Sequence, residues 1–134
     1  MIPITIISGF LGAGKTTYLQ HILNSRNTNE RILIIENDFG ETSLDAKQLS
    51  TSGATVREVT SGCICCSLQG NFKNALIDIL STQDIDQIYI EPSGVSKLSE
   101  ILYTCDDDDI TSKAYVNMII TVVDAMQAPM AIKN

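Results

Sequence analysis

Nine residues near the start of the chain, Gly9-Phe10-Leu11-Gly12-Ala13-Gly14-Lys15-Thr16-Thr17, follow the spacing G-x-x-x-x-G-K-[ST]. The glycines keep Cβ atoms out of the way, so successive backbone N–H groups can close around a phosphate. A helix starting at Lys15 adds the positive end of its dipole. In such a loop Gly12, Ala13, Gly14 and Thr17 help form the cradle, Lys15 reaches the β- and γ-phosphates, and the Thr16 hydroxyl holds Mg²⁺. A second cluster, Cys63-x-Cys65-Cys66, brings three thiols close together. Thiolates at that density suit a soft or borderline cation such as Zn²⁺ or Cu(I), and a helix start just beyond them favours the charged form. Buried packing cysteines and a redox pair are the competing readings, although the spacing is not C-x-x-C. Third, Glu91 closes an apolar run and is followed by Ser93 and Gly94. An acid there is the second anchor of a Mg²⁺ shell, and Gly94 can turn its N–H toward a γ-phosphate.

These groups need a scaffold that brings loop starts to one edge. Ile4-Thr5-Ile6-Ile7-Ser8 reads as a buried parallel strand feeding the glycine loop. Beyond the loop, Tyr18, Leu19, Ile22 and Leu23 recur at helical spacing. Residues 31–36 form a second apolar strand that ends in the acidic stretch Glu36-Asn37-Asp38-Phe39-Gly40-Glu41, where a strand meets a loop. A short helix over 44–51 and a short strand over 55–59 lead to the cysteines. Phe72, Ala75, Leu76, Ile79 and Leu80 then mark an amphipathic helix. A strand over 87–91, a helix over 96–103, a solvated acidic loop at Cys105–Asp109 and a last apolar strand over 116–123 complete the pattern. Strands alternating with helices give an α/β, three-layer fold of the phosphate-loop NTPase type, with a mainly parallel sheet and helices on both faces.

Composition narrows the function. The 134 residues make one domain with a respectable core, and 44% hydrophobic with 19% charged residues is the balance of a soluble globular protein. A net charge of −7 without a basic patch argues against nucleic acid. No apolar run is long enough for a membrane span and no signal peptide opens the chain, so a cytoplasmic protein is expected. Four cysteines in that compartment read as thiols or metal ligands; Cys105 reads as an ordinary loop or core cysteine, and His21 as a surface or packing residue.

The motifs Gly9–Thr17, Ile35-Glu-Asn-Asp-Phe-Gly-Glu41 and Gly62-Cys-Ile-Cys-Cys66, in this order, resemble the CobW family of GTPases, metal-handling relatives of the nickel-insertion GTPases HypB and UreG. Glu91-Pro-Ser-Gly94 is similar to that family's magnesium and switch motif, and Ile120–Ala125 to the strand preceding its guanine-reading segment. The resemblance implies GTP and Mg²⁺ as ligands, slow intrinsic hydrolysis, and delivery of Zn²⁺, or Co²⁺ or Ni²⁺, to a client metalloprotein. Cys63, Cys65 and Cys66 would be cargo ligands, with Glu36 and Glu41 as additional metal or water-positioning carboxylates. Lys15, Glu91 and Asp38 would serve catalysis, Asp38 standing where the family more often has glutamate. Two departures accompany it. The chain stops before a base-reading Asn-Lys-x-Asp-type segment and a C-terminal domain, so residues 1–134 read as an incomplete GTPase domain whose open sheet edge could pair with a second copy. The family's histidine-rich stretch is also absent. A metal-sensing or zinc-storage module, with nucleotide only gating metal binding, is the alternative, and a small-molecule kinase the third reading.

Overall fold

The computed structural model describes residues 1–10, 12–26, 29–36, 55–58, 69–92, 98–126 and 129; for Glu36, 55–58 and 69–71 the description is of the backbone. Strand β1 (Ile2–Gly9) leads into α1 (Lys15–Ser25). Next come β2 (Ile32–Glu36), β3 (Thr55–Glu58) and α2 (Gln69–Thr82). Strand β4 (Gln87–Glu91), helix α3 (Leu98–Cys105), a single helical turn α4 (Asp108–Thr111) and β5 (Ala114–Val122) follow. The expected strands and helices among the described residues are all present. The helix expected over 44–51 lies outside them.

The five strands form one sheet in the order β3-β2-β4-β1-β5, and every neighbouring pair is parallel. The β-branched runs of β1, β2 and β4 suit this arrangement, because a central parallel strand is covered on both faces. On one face Ile4, Ile6, Leu33, Ile35, Ile88 and Ile90 pack against α2 and α3 through Phe72, Leu76, Ile79 and Ile101. On the other, Ile7, Ile32, Ile34 and Tyr89 meet Leu19 and Leu23 of α1. Helices on both faces of a parallel sheet make the three layers. Between β4 and β1 a buried polar pair, Gln87 Nε2 donating to Thr5 Oγ1 at 3.1 Å, satisfies two groups that would otherwise destabilise the interior. It ties together the two strands that carry the phosphate loop and Glu91.

One sequence expectation needs refinement, and β5 adds a feature of its own. The stretch Cys105–Asp109 is solvated at Asp106, Asp108 and Asp109 but is not a loop throughout: Cys105 ends α3 inside the core, and Asp107 caps α4 by accepting from the Asp109 backbone N–H. Lys73 of α2 binds Asp107 at 2.7 Å, so this one aspartate both caps α4 and holds α2. Strand β5 carries an extra residue at Asn117, where the pairing slips from Ile4↔Val116 to Thr5↔Met118. Beyond that bulge Met118 (52% exposed) and Ile119 (44%) are open to solvent, although the strand is as apolar as the central ones.

Candidate functional site

The carboxyl ends of the five strands share one edge of the sheet, the edge at which open α/β sheets bind ligands. β1 reaches it at Gly9, and the chain turns there, with the Ala13 N–H donating to the Phe10 carbonyl at 3.1 Å. Gly14 stands at the N-cap of α1 with φ 98 and ψ 24, a left-handed conformation that a side chain would strain. No side chain caps the helix and no acid sits in its first turn. The orphan N–H groups of that turn therefore face the loop, with the dipole behind them. A Cβ added at Gly12 or Gly14 would meet nothing within 4 Å, so the cradle has room for a phosphate.

Lys15 is buried, at 7% exposure, and its ammonium donates to the Gly9 carbonyl at 2.8 Å. A buried lysine needs such a partner. The bond folds the side chain back over the loop, so the amine stands at the cradle. Thr16 is half-buried and Thr17 exposed on the next positions of the helix. These residues fit a nucleotide's phosphates with Mg²⁺: donors converge, a cation is held among them, and a hydroxyl follows.

Gly9 also serves packing. Its φ is 148, and a Cβ there would lie 2.4 Å from the carbonyl oxygen of Val122 on β5. The glycine that opens the motif lets β5 approach the loop, a reason the spacing alone does not reveal.

Glu91, half-buried, ends β4, the strand beside β1. Glu36 ends β2 in register with it, and Glu58 ends β3 in register with Glu36. Three glutamates on three neighbouring strands thus form one row at the functional edge. Sequence reasoning singled out Glu91 and Glu36 and missed Glu58, because the row depends on sheet order. Asp38, Glu41, Cys63, Cys65, Cys66 and Gly94 lie outside the described residues. Among the described residues no three His, Cys, Asp or Glu gather as metal ligands. His21 is exposed on α1, and Cys105 is buried, its thiol pushed up to about 11 by desolvation. No helix among the described residues is long and apolar enough to cross a membrane.

The model of the CobW/HypB/UreG nucleotide-binding domain matches residues 3–133. The chain belongs to this family. Within the CobW/HypB/UreG family it is 37% identical over 133 residues to the zinc chaperone YjiA of Escherichia coli, covering 95% of this chain and 42% of YjiA. To the zinc-regulated GTPase metalloprotein activator 1 of Saccharomyces cerevisiae it is 34% identical over 131 residues, covering 92% of this chain and 30% of that protein. The chain thus spans well under half the length of these relatives. Among solved structures, a Zn(II)-bound YjiA GTPase aligns over 96% of this chain and 42% of its own, with a TM-score of 0.63 and 26% identity. That YjiA is a triple mutant in which one glutamate and two adjacent cysteines are replaced by alanine.

Proposed function

We propose that this chain is the nucleotide-binding part of a GTPase that carries Zn²⁺ and passes it to a client metalloprotein. One observation carries the reading. The phosphate loop, with Lys15 held at its centre, opens on the same sheet edge as the strands that lead into the acidic stretch and the cysteines. In strand order along that edge, β3 leads in sequence to the cysteines, β2 to the acidic stretch, β4 ends at Glu91, and β1 runs into the loop. The relatives' names support zinc as cargo and GTP as nucleotide. In the YjiA mutant the replaced glutamate and cysteine pair have the same separation along the chain as Glu36 from Cys65 and Cys66.

Lys15 would leave the Gly9 carbonyl for the β- and γ-phosphates, while N–H groups of Gly12, Ala13, Gly14, Thr16 and Thr17 close on the phosphate oxygens. Thr16 and Glu91 would hold Mg²⁺, which supplies charge neutralisation at the phosphates when bound. Gly94 reports the γ-phosphate by its backbone N–H, and Asp38 with Glu41 orients water. Cys63, Cys65, Cys66 and Glu36 hold zinc as a transferable cargo. Loss of the γ-phosphate relaxes the segments after β4 and β2, and the cysteines follow.

The test is Zn²⁺ affinity measured without nucleotide, with a non-hydrolysable GTP analogue and with GDP. A shift of tenfold or more, about 1.4 kcal/mol of coupling, is expected. Tight zinc binding that ignores nucleotide would instead make the cysteines a storage site. Cys65→Ser with Cys66→Ser should lose tight Zn²⁺ binding while GTP affinity stays within about twofold; zinc retained by that variant would place the site elsewhere.

A further inference from the structure

We propose that the base of the bound nucleotide leaves the phosphate loop on the β5 side and stacks on Phe10, with Val123 and Met126 beside it; this rests on the nucleotide reading above. Phe10 is the first residue past the end of β1 and is 68% exposed, so most of its ring stands in solvent at the mouth of the cradle. Its carbonyl accepts from the Ala13 N–H at 3.1 Å, which fixes the main chain in the turn and leaves the ring as the unused part. Gly9 and Val122 are register partners in close contact, so Phe10 and Val123 set out from neighbouring positions on the two strands. Val123 and Met126 are exposed as well. The Met126 N–H donates to the Asp124 carboxylate at 2.8 Å, closing a turn at the end of β5. Three apolar side chains therefore lie open where β5 meets the loop.

A nucleotide whose phosphates sit in the loop has two neighbours along this edge, because β1 lies between β4 and β5. The β4 side ends in the half-buried acid Glu91, a setting for a cation. The β5 side is apolar. A base is uncharged and flat, and gains from an aromatic face, whereas the phosphates need donors and positive charge. The uncapped start of α1 and the Lys15 ammonium supply the second requirement, and Phe10 supplies the first. Three side chains are too small a face for a stable protein partner, which covers about 800 Å² on each side, but they match one base. Stacking uses a ring face, so Phe10 gives affinity for a base and not the choice of which base.

The experiment compares wild type, Phe10→Ala and Phe10→Tyr by titration calorimetry with two probes, GDP and inorganic tripolyphosphate, each with Mg²⁺. Tripolyphosphate fills the cradle and carries no base. In Phe10→Ala, GDP should weaken about tenfold while tripolyphosphate stays within about twofold of wild type. Phe10→Tyr keeps the ring and should bind GDP as wild type does. Wild-type GDP affinity in Phe10→Ala would overturn the proposal. An equal loss of tripolyphosphate would also overturn it, because Phe10 would then act on the shape of the loop. A tyrosine variant as weak as the alanine one would do the same, since the ring would not be what binds. Failure of the nucleotide reading itself is separately visible: wild type would then bind neither GDP nor tripolyphosphate.

Discussion

At the amino end of the sheet Arg31, just ahead of β2, lies between two acids: its Nε and Nη2 donate to Asp86 at 3.0 Å each, and its Nη1 pairs with Asp84. At the carboxyl end, the same β2 finishes at Glu36 between Glu58 and Glu91. The strands are continuous, yet one end sets opposite charges together and the other sets like charges in a row. The amino end also ties segments across the sheet: the Arg31 N–H donates to Asp86 at 2.8 Å, and Ile2 donates to the Lys113 carbonyl at 2.9 Å. At the carboxyl end the phosphate loop instead presents an uncapped helix start and a buried lysine. The two ends of one sheet thus differ in charge: paired opposite charges at the amino end, and at the carboxyl end a row of acids beside an uncapped helix start.

The sharpest way to break this contrast is Lys15→Ala. Nucleotide affinity should fall at least about 100-fold, roughly 2.7 kcal/mol, with the thermal midpoint little changed, as titration calorimetry and a melt would show. Unchanged affinity would remove the phosphate-loop assignment. Next in size are the glycines. Gly9→Ala drives a Cβ into the Val122 carbonyl and should cost about 1–3 kcal/mol of stability by denaturant titration. Gly14→Ala meets open space but keeps a left-handed backbone, costing about 1–2 kcal/mol. Asparagine separates them: it tolerates the left-handed region and should recover part of the loss at Gly14, but none at Gly9. Equal recovery at both would mean that the β5 contact is not what requires Gly9.

The contrast marks what the sequence could reveal. Elements with a local signature were legible: the glycine loop between Ile7 and Lys15, the helical spacing of Leu19 and Leu23, and the apolar runs of β2 and β4. Alternation of strands with helices gave a parallel sheet, but not which strands are neighbours. The order β3-β2-β4-β1-β5 joins residues far apart in the chain, so the row Glu58–Glu36–Glu91 had no signal in any window. The same limit hid the second duty of Gly9, whose constraint comes from Val122. In Asp106–Asp109 charge density marked solvent exposure correctly at three positions but not the helical turn there, nor that Asp107 is used as its cap and as the partner of Lys73. Hydropathy likewise records what a strand carries and not what covers it, which is why β5 is apolar yet open at Met118 and Ile119.

The smallest effect concerns the amino end and depends on pH. Hydrogen bonds from the Arg31 side chain and backbone hold the Asp86 carboxyl down, at about 2 against an ordinary 3.8. Because the folded value is the lower one, the stability this pair contributes is complete above about pH 4 and disappears as pH falls toward 2. Arg31→Ala should therefore flatten the acid limb of a stability–pH curve between those values. At neutral pH the change should be slight, because Arg31 is 53% exposed and solvent screens the pair. The Lys73–Asp107 pair, which also lowers its carboxyl, stays intact in this variant and should preserve the remainder of the acid limb. If the variant loses stability equally at pH 7 and pH 3, Arg31 acts through packing of its stem and not through charge. The amino end would then be held by apolar contact, and its contrast with the acidic row would rest on the row alone.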